Sequence, residues 1–145
     1  MTLKNTNENA IIKVSSKQTS NGDSEEMEFV TRGCFCQRGR KFFVFYAESE
    51  EMGMANCTVM LIAEEKTVTM RRRGEFELKM TYIEGESESV IYYLPFGEIN
   101  MTQTTHSVFC SLDDNGGEIK VNYTLLMDGA MQENELTIKV ERQIQ

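Results

Sequence analysis

The feature that most constrains the fold is a period-two alternation of apolar and polar residues, which returns in one short segment after another. Residues 75–83 and 118–127 show it most clearly, because every second residue there is apolar. Helical periodicity is nearly absent, and the chain contains a single proline, Pro95. Val, Ile, Thr, Phe and Tyr dominate the segments, and turn signals separate most of them. The chain is therefore predicted to be all-β and antiparallel.

Ten strands follow from this pattern, with no interval long enough for a crossover helix. The predicted strands are residues 10–19, 27–37, 40–48, 57–64, 67–73, 75–83, 89–94, 98–112 and 118–127, and a last strand through Leu136, Ile138 and Val140. Consecutive hairpins build an up-and-down meander, which leaves two exposed edges unless it closes. A closed antiparallel β-barrel of about 8–10 strands is therefore favoured over a sandwich. Such a barrel encloses packed side chains or one small ligand.

The sequence also predicts local backbone features at three positions. Gly33 lies inside a strand, which predicts a bulge or a bend there. The parity of apolar residues shifts within 98–112, which predicts a β-bulge near Thr105. Asn115-Gly116 is the strongest hairpin signal in the chain.

A chain of 145 residues has the length of a single domain. We assign residues 10–145 to the barrel and residues 1–9 to a disordered tail. The first residues lack the hydrophobic core of a signal peptide, and no apolar run approaches the roughly 18 residues of a membrane span. We therefore expect a cytoplasmic protein. The net charge of -8 argues against nucleic acid and membrane surfaces as partners.

The residues that most often carry chemistry form no recognisable constellation. Cys34 and Cys36 share one strand face, and neither they nor Cys57 and Cys110 show metal-ligand spacing. In a reducing compartment we expect four free thiols that act as small buried hydrophobes. His106 is the single histidine, and no catalytic triad, phosphate loop or carboxylate pair accompanies it. We therefore predict no catalytic residue, no bound metal, no cofactor and no enzymatic activity.

One charged residue departs from the alternating pattern. Arg72 shares a strand face with Val68 and Met70, whereas Arg71 and Arg73 take the opposite face. If Val68 and Met70 point to the core, Arg72 does so too. A buried guanidinium costs several kcal/mol unless a carboxylate or a ligand anion pairs with it.

Glu48 is the partner that the pattern favours, because it shares a face with Val44 and Tyr46. Arg72 would then form a structural ion pair, or hold an anionic ligand, or lie at the barrel rim. Tyrosines offer an apolar ring with a polar tip that suits a pocket wall. The ten methionines either line an adaptable pocket or fill gaps in the core. The candidate ligand-binding residues are Arg72, Glu48, Tyr46 and Tyr93.

Four segments read together resemble a known family. They are residues 45–54 (FYAESEEMGM), 68–74 (VTMRRRG), 92–97 (YYLPFG) and 116–123 (GGEIKVNY). Their order and spacing are similar to those of the YwiB-like family, small bacterial proteins of unknown function with a calycin-like (lipocalin-type) β-barrel. The chain departs from the family at Ala47-Glu48, where an acidic residue tends to follow the tyrosine, and at Leu94, where threonine often precedes the proline. The resemblance implies the barrel and supplies no activity.

Two functions from different classes fit this sequence. The first is a non-enzymatic carrier or sensor that binds a small apolar or anionic molecule inside the barrel. The second is a protein-interaction or assembly module with a solid core. An open cavity lined by Tyr and Met with Arg72 at its base would favour the first function. A filled barrel with an apolar patch around residues 42–46 would favour the second.

Overall fold

Ten β-strands and one short 3₁₀ helix are present in the part of the chain that the structure describes. The structure is a computed structural model, and it describes residues 8–52 and 54–143. The predicted disordered tail therefore lies outside the described residues except for Glu8 and Asn9. The elements are β1 (Ala10–Ser20), β2 (Asp23–Arg38), β3 (Lys41–Glu48), η1 (Glu50–Met52), β4 (Cys57–Glu64), β5 (Thr67–Gly74), β6 (Leu78–Ile83), β7 (Ser87–Leu94), β8 (Gly97–Asp113), β9 (Gly116–Met127) and β10 (Ala130–Arg142). Within these residues no helix has the length and apolar character of a membrane span.

All ten strands belong to one antiparallel sheet that curls into a nearly closed barrel, which confirms the predicted all-β barrel. Neighbours in sequence pair from β1 to β6 and from β7 to β10, and β1 pairs with β10 to join the two series. Between β6 and β7 the ladder is reduced to one bridge, Glu77↔Tyr93, among the described residues. We call this weakly paired boundary between β6 and β7 the seam.

Side chains replace part of the missing ladder along the seam. The Thr81 N–H donates to Glu88 Oε2 at 2.7 Å. Gln103 Nε2 donates to the Thr81 carbonyl at 3.2 Å and to Glu88 Oε2 at 2.9 Å. Gln103 is fully buried, so these bonds satisfy polar groups that have lost contact with water. At Thr81 the barrel is therefore sealed by side chains rather than by backbone pairing.

Strand β2 begins four residues earlier than the sequence pattern predicts, at Asp23 rather than at residue 27. Asn21 and Gly22 have φ of 52° and 83°, as a two-residue type I′ turn requires. A turn this tight allows pairing to start at once, with Ser20 opposite Asp23. The first residues of β2 are exposed and mostly acidic, so they lack the apolar alternation by which a strand is recognised.

The predicted bulge in the long eighth strand is confirmed. The register between β8 and β9 shifts between Thr105 and Ser107, so His106 is the extra residue. The His106 side chain is exposed, and its Nε2 lies 2.6 Å from Thr124 Oγ1. The only histidine of the chain is thus placed outside the barrel by the bulge.

The sequence predicts a bulge or a bend at Gly33, and no bulge occurs there. Gly33 stays in register with Ala10 on β1 and with Tyr46 on β3, and no shift occurs on either side. A side chain at this position would overlap the Phe45 carbonyl oxygen and the end of Ile12. Glycine is required here because two neighbouring strands approach closely, not because the strand is irregular.

The core fills the end of the barrel where β1 begins and β10 ends. Alternate residues of the strands point inward there, as the period-two pattern predicts. Their side chains are buried and in mutual contact: Ala10, Ile12, Phe35, Val44, Leu61, Ala63, Val68, Tyr82, Val108, Ile119, Val121 and Val140. Burial of this apolar surface is the main source of the stability of the barrel.

The four cysteines are unpaired, but they are not all buried. Cys57 is buried, Cys34 and Cys110 are half-buried, and Cys36 is exposed. The expectation of buried thiols is wrong for Cys36, because the inward position of Phe35 turns its two neighbours outward.

Candidate functional site

The end of the barrel opposite the packed core contains an interior cavity of about 350 Å³. All ten strands contribute inward-facing side chains to its wall. Methionines and tyrosines form much of this wall: Met27, Met70, Met80, Met101, Met127, Tyr46, Tyr92 and Tyr123. The volume falls in the range of small-molecule pockets, roughly 300–1,000 Å³.

Strand register explains how Arg72 comes to line this cavity. Tyr46 lies opposite Val59, Val59 opposite Arg72, and Arg72 opposite Leu78, so these residues form one row across β3 to β6. Glu48 follows Tyr46 by two residues and therefore points to the same side. The long side chain of Arg72 crosses β4 to reach Glu48.

Arg72 and Glu48 form a bidentate ion pair, which is one of the three alternatives that the sequence leaves open for Arg72. Arg72 Nε donates to Glu48 Oε1 and Nη2 donates to Oε2, both at 3.1 Å. The side chains are 22% and 5% exposed, so the pair is largely removed from water. Parallel two-point pairing is the geometry in which a guanidinium and a carboxylate interact most strongly. The cation is thus compensated inside the protein, and the cavity gains little net charge from it.

Burial and the ion pair act on the ionisable groups around Arg72. Burial lowers the pKa of Arg72, but the charge of Glu48 and its hydrogen bonds outweigh burial and hold that pKa above the usual value. Burial raises the pKa of Tyr46, helped by the Glu48 carboxylate and opposed by Arg72. Burial also raises the pKa of Tyr92, although Arg72 opposes the shift. The tyrosine hydroxyls therefore stay protonated near neutral pH, and the site presents neutral phenols beside a compensated cation.

A second polar region lies on β1 and β10. Gln18, Gln132 and Asn134 line the cavity there. Asn134 is buried, and its Nδ2 donates to the Gln132 carbonyl at 3.2 Å. These amides offer both donors and acceptors without charge. The cavity therefore has an apolar interior with neutral hydrogen-bonding groups on one side and an ion pair on another.

One of the four candidate residues is placed wrongly by the sequence. Tyr93 is 49% exposed and faces outward, and its backbone forms the seam bridge with Glu77. Tyr92 lines the cavity instead. Val90, which is buried, shares the inward parity of Tyr92. The sequence leaves the parity of this segment open, because its inward and outward residues are equally apolar. Arg72, Glu48 and Tyr46 do lie together on the cavity wall.

The sequence did not identify several other residues of the site. Glu88 and Gln103, which seal the seam, and the amides of β1 and β10 look like ordinary exposed strand residues. Their inward parity is the one sequence signal that could have identified them as site residues, since a polar residue on a core-facing row needs a partner. Among the described residues, no group of three or more His, Cys, Asp or Glu could hold a metal ion.

The buried tyrosines predict how stability changes in alkali. Burial raises the pKa of Tyr46, Tyr82, Tyr92 and Tyr123 above the ordinary value of 10.0. Above that pH the unfolded chain loses these protons and the folded chain keeps them. We expect the free energy of unfolding to fall above about pH 10, by up to about 1.4 kcal/mol per pH unit for each such tyrosine.

Ultraviolet absorbance of tyrosinate measures this directly. In the folded protein we expect fewer than all five tyrosines to ionise near pH 10, and in urea all five. Ionisation of all five tyrosines near pH 10 without unfolding would contradict the buried positions of these rings.

Comparison of the sequence with known proteins supports the β-barrel fold. Residues 12–138 match the family model described as Domain of unknown function (DUF1934). The uncharacterized beta-barrel protein YwiB of Bacillus subtilis (strain 168) is 26% identical over 114 residues, which is 79% of each chain.

A solved structure extends the likeness to the whole barrel. The crystal structure of the ywiB protein from Bacillus subtilis superimposes with a TM-score of 0.83 at 23% identity, over 93% of this chain and 92% of that one. At this identity the likeness concerns the fold alone. The resemblance noted from the sequence is confirmed, and the chain belongs to the DUF1934 family of β-barrel proteins of unknown function.

Proposed function

We propose that the protein is a non-enzymatic, cytoplasmic carrier or sensor that binds one small, largely apolar and uncharged molecule inside its barrel. The observation that carries the proposal is the cavity of about 350 Å³ with its tyrosine and methionine wall. A core that served only stability would be expected to close such a space, because protein interiors pack densely. Methionine side chains adapt to ligand shape, and tyrosines add hydrogen bonds at the edge of an apolar ring. A calycin-type barrel would suit this role.

The ion pair favours an uncharged ligand over an anionic one. Both oxygens of Glu48 are already bonded to Arg72, so an anion beside Arg72 would also lie beside a carboxylate. Displacing Glu48 would leave that carboxylate buried and unpaired, at a cost of several kcal/mol. An uncharged ligand requires no such exchange and can bond to Gln18, Gln132 or Asn134.

A second function has one observation in its favour. Phe43, Phe45, Met60 and Ile62 lie on the outer face of β3 and β4, and the register places them as neighbours. Met60 is exposed, and the other three are half-buried. An apolar outer patch of this kind suits a protein-interaction module. Such a module is expected to have a solid core, and the cavity inside this barrel does not match that expectation. We therefore place this function second.

Dye binding with a matched pair of variants tests the first function. N-phenylnaphthylamine is a neutral dye whose fluorescence rises in apolar surroundings, and anilinonaphthalene sulfonate is its anionic analogue. Leu125 lines the cavity, whereas Leu126, the next residue, is exposed on the outside. We expect Leu125→Trp to fill the cavity and weaken binding of the neutral dye by at least about tenfold, about 1.4 kcal/mol. Leu126→Trp should leave its binding nearly unchanged.

The two dyes separate the alternatives. The neutral dye should bind more tightly than its sulfonate analogue, because no described residue of the cavity wall carries an uncompensated positive charge. Equal effects of the two tryptophan variants, in protein that is folded by circular dichroism, would mean that the dye binds outside and would contradict an interior site. Tighter binding of the sulfonate in the cavity would favour an anionic ligand.

A further inference from the structure

The seam carries a second feature that the cavity does not explain. On the outside of the barrel, β5, β6 and β7 border a groove of about 560 Å³. Its wall includes Arg71, Lys79, Ser89, Ile91 and Tyr93, and we call it the seam groove. Ladder pairing between β6 and β7 is interrupted along this groove, so its floor is made of two strand edges rather than a continuous sheet.

Within the described part of the chain, backbone groups on both edges of the groove lack a partner across the seam. Glu77 and Tyr93 exchange two hydrogen bonds, of 3.0 and 2.9 Å, so both residues turn their N–H and C=O to the seam. In antiparallel strands every second residue does the same. Lys79 on β6 and Ser89 and Ile91 on β7 therefore turn their N–H and C=O to the seam. No hydrogen bond joins these groups across the seam to another described residue.

Three cations flank these unpaired backbone groups. Arg71 lies directly opposite Lys79 in the β5–β6 register, and Arg73 follows on the same face. Like charges placed directly opposite each other are unfavourable. None of the three forms an ion pair with a described residue. The groove also contains Glu77 and Glu88, but Glu88 is bonded to Thr81 and Gln103. The chain has a net charge of -8, so these three cations form a locally positive region in an acidic protein.

We propose that the seam groove binds an extended, acidic peptide segment of a partner protein, which enters the groove between the Glu77–Tyr93 bridge and the Glu88–Thr81 contact and bonds to the free backbone groups of β6 and β7 there. Backbone groups of the segment would bond to Ser89 and Ile91 on one side and to Lys79 on the other. Its carboxylates would lie beside Arg71, Lys79 and Arg73. As in strand addition, affinity would come from main-chain hydrogen bonds and specificity from alternate side chains.

The unpaired groups favour a peptide over a small anion. A phosphate or a free carboxylate offers only acceptors at neutral pH, so it could serve the N–H groups and the cations but not the C=O groups of Lys79, Ser89 and Ile91. A peptide backbone offers donors and acceptors in alternation along the strand. It therefore matches both kinds of group on the two edges.

Peptide libraries with matched backbones test the proposal. The first is a labelled pentapeptide library in which Glu alternates with Val, Ile, Thr, Phe or Tyr. The second carries the same residues with every backbone nitrogen methylated, and the third has Lys in place of Glu. Fluorescence polarisation with the full chain should detect binding of the first library and little of the other two. Binding should weaken as salt is raised, because exposed charges take part.

Two variants, each with a matched control, locate the site. Ile91→Pro removes one N–H that faces the seam, and an edge strand tolerates proline at such a position. We expect it to weaken binding about fivefold to tenfold, as for one lost hydrogen bond, whereas Ile91→Thr, which keeps the N–H, should not. Arg71→Gln with Lys79→Gln should also weaken binding. The control pair, Lys120→Gln with Lys139→Gln, removes the same charge from the exposed faces of β9 and β10.

Four outcomes would overturn the proposal. Equal binding of the methylated library would show that charge alone is recognised, as would full competition by inorganic phosphate. Equal loss in the control pair would place the peptide elsewhere. Failure of the glutamate library to bind at millimolar concentration would exclude the groove as a peptide site. None of these results depends on the cavity, so this proposal and the small-molecule function can fail separately.

Discussion

Arg72→Ala is expected to lower the free energy of unfolding by about 3–5 kcal/mol, the range for breaking a buried ion pair. The substitution leaves Glu48, with a side chain only 5% exposed, without the two donors that now satisfy it. Most of the loss comes from this buried, unpaired carboxylate rather than from the missing attraction. Urea unfolding followed by circular dichroism measures the change.

The neighbouring arginine supplies the control. Arg71 is exposed on the opposite face, so Arg71→Ala should cost only about 0–1 kcal/mol. In a double-mutant cycle, Arg72→Ala and Glu48→Ala should be strongly non-additive, because each removes the same interaction. Arg72→Met combined with Glu48→Leu should restore much of the stability, since an apolar replacement leaves no charge behind. Small and equal losses for Arg72→Ala and Arg71→Ala would contradict a buried pair and leave a solvated strand end.

Gly117→Ala is expected to cost at least about 3 kcal/mol, from two causes that act together. Gly117 has a φ of 139°, a backbone conformation that costs other residues about 1–3 kcal/mol. A methyl group there would also overlap the Ser111 carbonyl oxygen and approach Leu112 Cα to 3.1 Å. Overpacking against a backbone that cannot rotate away costs about 1–3 kcal/mol more. The hairpin between β8 and β9 would have to open to admit the methyl group.

Gly129→Ala separates these two causes. Gly129 also has a positive φ, 79°, but a methyl group there would meet no atom within 4 Å. We expect it to cost only about 1–2 kcal/mol, the backbone part alone. The difference between the two variants, measured by urea unfolding, gives the energy of the close approach. Equal losses would mean that the strands at Gly117 can separate at little cost.

The sequence by itself determined the strands, and with them the class of fold. Period-two alternation is a local property, and it is visible wherever one side of a strand is apolar and the other polar. For the same reason parity separated Arg72, on the row of Val68 and Met70, from Arg71 and Arg73 on the opposite face. The sequence favoured Glu48 as the partner because a buried cation needs a carboxylate and Glu48 shares a face with Val44 and Tyr46, but it left an anionic ligand or a rim position open for Arg72. The bulge near Thr105 was predictable because it breaks a parity that is otherwise regular.

Only the tertiary structure decided the features that depend on distant strands. Tyr92 rather than Tyr93 faces the cavity because the segment is apolar on both sides, so its orientation is set by pairing with β8. The requirement for glycine at Gly33 comes from the approach of β1 and β3, which no local pattern records.

The cavity and the seam have the same kind of origin. A cavity is the space that side chains from all ten strands leave unfilled, so it depends on their combined shapes rather than on any one segment. The seam arises where β6 and β7 diverge after their turn and Glu88 and Gln103 bond to the backbone of Thr81 instead. These contacts join residues of different strands, so they form only when the barrel closes.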